Sequence, residues 1–102
     1  MPLWVVLQTL DGKRLDEAAP PAVALNRVLP SFEDESFPML RFIDPYGNTL
    51  FNTNQMFGFL SEWDRLIGAI NDDEISKFMM RVRSMAERCQ KNPHTFLRFI
   101  GD

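Results

Sequence analysis

The chain has few of the residues on which small catalytic and metal sites usually depend. It contains one cysteine, Cys89, and one histidine, His94, among its 102 residues. A single cysteine excludes a disulfide within the chain and a cysteine-rich metal site. The five glycines are scattered, so the sequence has no glycine-rich loop that could hold a phosphate group. We therefore expect no metal ion and no cofactor.

The sequence also lacks a basic surplus and a long apolar run. It has 11 Lys and Arg residues against 14 Asp and Glu residues, which gives a net charge of −3. This balance weighs against a nucleic-acid partner, because phosphate binding requires clustered positive charge. No apolar run approaches the roughly 20 residues of a membrane span, and "MPLWVVLQTLDG" lacks the basic start of a signal peptide. We expect a cytoplasmic protein with no nucleic-acid and no membrane partner.

What the chain does contain is typical of a folded globular protein. Hydrophobic residues make up 45% of it and charged residues 25%. A chain of this length can bury one core, so we expect a single domain over residues 1–102. Two segments, 54–70 and 72–91, carry apolar residues at spacings of three and four, which predicts an antiparallel pair of helices. Asn52 or Thr53 can cap the first helix, and the acidic residues 72–74 suit the start of the second.

Strands are predicted on either side of these helices. Residues 3–10 predict a central strand because they are apolar on both faces. Residues 38–44 and 49–52 predict a hairpin around "DPYGN", and 95–100 predict a last strand. Residues 13–36 stay open between a short helix at 21–29 and an extended chain. The fold class is α+β, an antiparallel sheet of about four strands packed on one face by a C-terminal αα-hairpin.

The sequence Leu-Arg-Phe-Ile occurs twice, at 40–43 and at 97–100. If both copies are strands, Arg41 and Arg98 lie on the sheet face away from the helices. In one interpretation each arginine is solvated or paired with a carboxylate. In the other, the arginines lie in an apolar patch covered by another protein or a second copy of this chain, as in a homodimer. The candidate partner-binding residues are Arg41, Arg98, Phe96, Met39 and Tyr46.

A second set of polar residues surrounds the predicted hairpin and the first helix start. The structural interpretation is turn formation and helix capping; the functional one is a loop site for a polar ligand. We expect His94 to cap the preceding helix rather than act as a base, and Cys89 to be buried and inert. The candidate ligand-binding residues are Asn48, Asn52, Asn54, Gln55 and His94.

The stretch "FIDPYGNTLFNTNQ", the helical hairpin and the ending "HTFLRFIGD" resemble small uncharacterised bacterial proteins that share a D-P-Y-G-x-T-x-F-N-x-x-Q block and a terminal F-I-G-D. The resemblance covers about the last 60 residues and implies a bacterial cytoplasmic origin but no activity. Size and acidity are also similar to those of immunity proteins. We expect a non-catalytic protein-binding module, immunity-like or regulatory. The alternative is a small-molecule-binding protein or an enzyme that uses His94, Tyr46 and the Asn/Gln cluster.

Overall fold

A computed structural model describes residues 3–21 and 25–101, with the side chain of Asn26 excepted. It confirms the expected α+β fold. Four antiparallel strands form one sheet in the order β2-β1-β4-β3, and two helices pack on one face of it. The elements are β1 (Trp4–Thr9), β2 (Arg14–Ala18), β3 (Asn48–Asn52), α1 (Met56–Ile67), α2 (Asp73–Lys91) and β4 (Thr95–Ile100).

The core lies between the sheet and the two helices. β4 alternates as expected, because Leu97 and Phe99 are fully buried while Phe96, Arg98 and Ile100 are half-buried on the other face. The ring of Phe99 contacts Phe59 and Trp63 of α1, each with its centroid 5.9 Å away. β1 is the central strand beside β4, as its apolar sequence predicts. In the described ranges, no helix combines the length and apolar character needed to cross a bilayer.

A side-chain cap starts α2 directly, whereas the cap before α1 belongs to a 3-10 turn that precedes it. Asp72 caps α2, since its Oδ1 accepts the backbone N–H of Ile75 at 3.0 Å. Asn52 and Gln55 form a capping box around a 3-10 turn, Thr53–Gln55, that leads directly into α1. The helices pack against each other, and Trp63 Nε1 of α1 donates to the carbonyl oxygen of Met79 in α2 at 2.9 Å. These contacts fix the helical hairpin over the sheet.

The strand predicted at 38–44 is wrong. Residues Leu40–Phe42 form a 3-10 helix outside the sheet, with Leu40 buried and Phe42 54% exposed. The backbone N–H groups of Met39 and Leu40 donate to the buried carboxylate of Glu62 instead of to a neighbouring strand. The same four residues, Leu-Arg-Phe-Ile, are extended in β4. The surrounding contacts, not the tetrapeptide, determine the backbone here.

Residues 13–36, for which the sequence left a short helix or an extended chain open, contain a strand and a 3-10 turn. Arg14–Ala18 forms the edge strand β2, with a bulge opposite Leu7 and Gln8 of β1. The helix predicted at 21–29 is a single 3-10 turn, Leu25–Arg27, and residues 22–24 lie outside the described ranges. Edge strands need only one ladder of hydrogen bonds, so β2 forms despite its polar sequence.

Candidate binding surface on the sheet

The candidate binding surface is the sheet face that points away from the helices, which we call the open face. Val6 alternates with the core residues Val5 and Leu7 and is not part of the core between sheet and helices, although it and Gln8 are themselves buried. Trp4 and Leu50 on the same face are 40% and 48% exposed. The open face includes Trp4, Val6, Gln8, Arg14, Glu17, Asn48, Leu50, Asn52, Phe96, Arg98 and Ile100. Glu17 and Arg14 form an exposed ion pair there, with their nearest atoms 3.3 Å apart.

One row of the open face crosses all four strands. Val6 of β1 pairs with Glu17 of β2 on one side and with Arg98 of β4 on the other. Arg98 in turn pairs with Leu50 of β3. Neighbouring strands are about 4.8 Å apart, so a carboxylate and a guanidinium flank Val6 at similar spacing. Opposite charges thus stand on either side of the central strand.

Arg98 is held in place on this face by a neutral partner. Its Nε and one Nη donate to Oδ1 of Asn48 at 3.2 and 3.1 Å. Among the described residues, no carboxylate lies within ion-pair distance of Arg98. Asn48 thus orients the guanidinium but leaves its charge without an opposite partner in the part of the chain that the structure describes. Asn48, predicted as a ligand residue, therefore positions an arginine of the open face.

The structure does not place Arg41 beside Arg98, so the expected pair of arginines on one sheet face is wrong. Arg41 lies in the 3-10 helix, and its guanidinium carbon is 5.0 Å from the ring centroids of both Phe32 and Phe42. Met39 is also away from the open face. Its side chain packs against the core, where Gly58 leaves room for the sulfur atom.

Tyr46 stands at the tip of the turn before β3 and is 73% exposed. Its backbone N–H donates to Oδ1 of Asp44 at 2.9 Å, and Gly101 N donates to the carbonyl oxygen of Gly47 at 2.6 Å. The "DPYG" block and the "FIGD" ending, which carry the resemblance to bacterial proteins, are therefore in direct contact. Of the five partner-binding candidates, only Phe96 and Arg98 share the open face.

In the Asn/Gln cluster, Asn52 and Gln55 form local hydrogen bonds with each other's backbone. Asn52 Oδ1 accepts the N–H of Gln55 at 3.1 Å, and Gln55 Oε1 accepts the N–H of Asn52 at 2.8 Å. Asn54 is exposed. Thr53 Oγ1 donates to the carbonyl oxygen of Asn92 at 3.2 Å, so the 3-10 turn lies beside the segment that contains His94. Asn52 therefore acts as a cap, but of the 3-10 turn that leads into α1 rather than of α1 itself.

His94 does not cap α2 as expected. It is exposed and has a φ of 69°, in the left-handed region. The end of α2 is instead bonded by Asn92, whose Nδ2 donates to the carbonyl oxygen of Arg88 at 2.6 Å. Cys89 is buried as expected, and burial raises the pKa of its thiol. Its sulfur lies 3.6 Å from the carbonyl oxygen of Thr95, so Cys89 is packed as part of the core.

Two features of the charged surface were not predicted from the sequence. Asp16 of the missed strand β2 pairs with both Arg81 and Arg88 of α2, at 2.8 and 3.1 Å. These pairs partly neutralise the basic stretch of α2. Glu62, in the middle of α1, is buried and bonds two backbone N–H groups. Within residues 3–21 and 25–101, no group of three or more His, Cys, Asp and Glu residues could hold a metal ion.

Comparisons of the chain with known protein families, with curated proteins and with solved structures find no match.

Proposed function

We propose that this chain is a non-catalytic protein-binding module, immunity-like or regulatory, and that the open face is its binding surface. The observation that carries the proposal is the half-buried residue Arg98, whose guanidinium has no carboxylate partner among the described residues. Around it stand the apolar side chains of Trp4, Leu50 and Ile100. Arginine and aromatic residues within an apolar patch are typical of the centres of protein interfaces.

The occupant that the charge pattern favours is a second copy of this chain. Glu17 and Arg98 flank Val6 on opposite sides. A two-fold axis that runs along β1 in the plane of the interface exchanges these two sides. It would bring Arg98 opposite Glu17 of the second copy and Glu17 opposite Arg98 of the second copy. A face that complements itself in this way is what a two-fold dimer requires.

The resemblance to small bacterial proteins belongs to the same proposal. The contact between Gly101 and the turn at Gly47 supports treating the two shared blocks as one structural feature. That feature lies at the Asn48 end of β3, next to the side chain that positions Arg98. The enzyme or ligand-binding alternative that relies on His94, Tyr46 and the Asn/Gln cluster has no comparable observation in its favour.

The test is the molar mass in solution, measured by sedimentation velocity over a range of concentrations. We expect the wild-type chain to dimerise, and Arg98→Glu and Glu17→Arg to weaken the dimer by about tenfold or more each, as the loss of a close charge pair predicts. The double variant should restore the dimer, because the charges are exchanged but remain complementary. Lys77→Glu on α2 is the matched control, since it makes the same charge change away from the open face.

A monomeric wild-type chain would contradict the second copy as occupant. The binding module would then require a different protein, captured by the wild type and lost with Arg98→Glu but not with Lys77→Glu. If the wild type is monomeric and no captured protein depends on Arg98, the proposed function is wrong. Circular dichroism spectra that are equal for all variants establish that the comparison is between folded proteins.

A further inference from the structure

A groove lies apart from the open face, between the 3-10 helix Leu40–Phe42 and the segment that precedes it. Its volume is about 550 Å³, and its walls include Leu29, Pro30, Phe32, Arg41, Phe42 and Pro45. A volume of this size is in the range of small-molecule sites, which are mostly apolar with a few polar groups that fix orientation. Arg41 provides the positive charge in the groove wall.

Arg41 has an unusual environment for an arginine in a small protein. Its guanidinium lies 5.0 Å from two aromatic rings, those of Phe32 and Phe42. The two rings contact each other edge to face, with centroids 5.5 Å apart. Stacking of this kind restricts the plane of the guanidinium. The direction of its N–H groups is thereby fixed before any ligand arrives.

The Nε atom of Arg41 is buried and has no hydrogen-bond partner among the described residues. Buried polar groups in native proteins are nearly always bonded, and a buried donor without an acceptor is costly. Arg41 also takes part in none of the ion pairs within the described ranges. Because Nε is buried, an acceptor that enters the groove would instead reach the terminal Nη groups of Arg41, which form no ion pair within the described ranges.

The nearby carboxylates are engaged elsewhere. Asp44 lines the groove, but its Oδ1 accepts the backbone N–H of Tyr46 at 2.9 Å. Asp34 accepts the N–H of Ser36 at 3.1 Å and also its hydroxyl group. These hydrogen bonds from Ser36 are the main reason that the pKa of Asp34 is lowered, and Arg41 contributes the least to that shift. Neither carboxylate lies within ion-pair distance of Arg41.

We propose that this groove binds a small carboxylate with an apolar body, and that Arg41 holds the carboxylate. A guanidinium presents its two terminal Nη groups side by side, and their N–H bonds match the two oxygens of a carboxylate. The apolar side chains of Leu29, Pro30 and Phe32 would contact the remainder of the ligand. The groove and the open face share no residue, so this proposal and the proposed function can fail independently.

The test uses phenylpropionate as the probe and phenylpropionamide, its uncharged counterpart, as the comparison. Each is titrated into the full-length protein while NMR follows the backbone amides and the arginine Nε–Hε signals. We expect phenylpropionate to shift the Nε–Hε signal of Arg41 and the amides of Phe32 and Phe42. It should bind about tenfold or more tightly than the amide, as hydrogen bonds to a charged partner predict.

Two variants of Arg41 and one control make the test specific. Arg41→Gln should lose phenylpropionate binding by about tenfold or more, and Arg41→Lys should also weaken it because the planar pair of Nη donors is gone. Arg65 is the matched control, since it stacks on Phe37 at 4.1 Å but already donates to the carbonyl oxygen of Ser36 at 2.7 Å. Arg65→Gln should leave binding unchanged.

Three outcomes would overturn the proposal. The first is equal binding of the acid and the amide, which would make the groove merely apolar. The second is binding of the acid that survives both Arg41 variants. The third is the absence of any shift at the Arg41 Nε–Hε signal at the highest soluble concentration of the probe. Amide spectra that stay dispersed in every variant exclude unfolding as the cause of a loss.

Discussion

The buried carboxylate of Glu62 accepts a hydrogen bond from the backbone N–H of Leu40, with the two atoms 3.0 Å apart. The same carboxylate oxygen accepts the N–H of Met39, also at 3.0 Å. Glu62 belongs to α1 and is 22 residues away from Leu40 along the chain. One side chain of the helical hairpin therefore fixes the 3-10 helix that carries Arg41.

We expect Glu62→Ala to lower the free energy of unfolding by about 1–3 kcal/mol, because two buried N–H groups lose their acceptor. Glu62→Gln should cost less, since its amide keeps one acceptor oxygen. Urea unfolding with a constant slope measures both differences. Glu87→Ala is the control, because that carboxylate is 46% exposed and pairs only with Arg83. Its effect should stay within about 0.5 kcal/mol, and losses of equal size at Glu62 and Glu87 would contradict the role given to Glu62.

Cys89 predicts a pH dependence of stability on the alkaline side. Burial raises the pKa of its thiol, so the folded chain keeps this proton to a higher pH than the unfolded chain does. The thiol does not change stability with pH below the ordinary thiol pKa. As pH rises from that value toward the folded pKa, the unfolded state ionises first and the folded state loses stability.

Urea midpoints near pH 7 and about pH 10 measure this effect. The wild-type midpoint should fall more between the two pH values than the midpoint of Cys89→Ala, which has no thiol to ionise. All other ionisable side chains are the same in the two proteins, so their contribution cancels in the comparison. The small cavity left by alanine lowers the midpoint of Cys89→Ala at both pH values, so it does not affect the fall between them. Equal falls in the two proteins would show that the Cys89 thiol does not control the alkaline limit.

The helices were predictable because their apolar residues repeat at helical spacing and because Asn52 and Asp72 provide caps close in sequence. The strand at 95–100 was predictable for a similar reason, since its alternation matches a sheet with one face in the core. The 3-10 helix at Leu40–Phe42 was not predictable. Its tetrapeptide also occurs in β4, and the difference lies in the hydrogen bond that the backbone N–H of Leu40 donates to the distant Glu62.

Part of the candidate site was predictable, because alternation along a strand is local whereas contacts between distant residues are not. Arg98 and Phe96 are on the open face because strand alternation alone determines their side. Glu17 was missed because β2 is a polar edge strand whose pairing with β1 leaves no apolar pattern. Arg41 was assigned to the wrong surface because its segment was taken for a strand. Its contacts with Phe32 and Phe42 depend on how the chain brings these residues together in space.

Gly101 ends the last strand against the turn at Pro45, and this close approach explains the glycine in the "FIGD" ending. A Cβ atom on Gly101 would overlap the carbonyl oxygen of Pro45, which is backbone and cannot rotate away. The N–H of Gly101 also donates to the carbonyl oxygen of Gly47. We therefore expect Gly101→Ala to push the turn away from the end of β4 and to cost about 1–3 kcal/mol.

The matched control is Gly68→Ala at the end of α1. Its φ is −63°, and a Cβ there would lie at ordinary contact distances of 3.6 and 3.7 Å. Alanine at such a position should leave the free energy of unfolding unchanged or raise it by about 0.4–1 kcal/mol, because it restricts the unfolded chain. Urea unfolding should thus show a lower free energy of unfolding for Gly101→Ala and an unchanged or higher one for Gly68→Ala. A Gly101→Ala protein as stable as Gly68→Ala would mean that the turn and the end of β4 do not depend on each other.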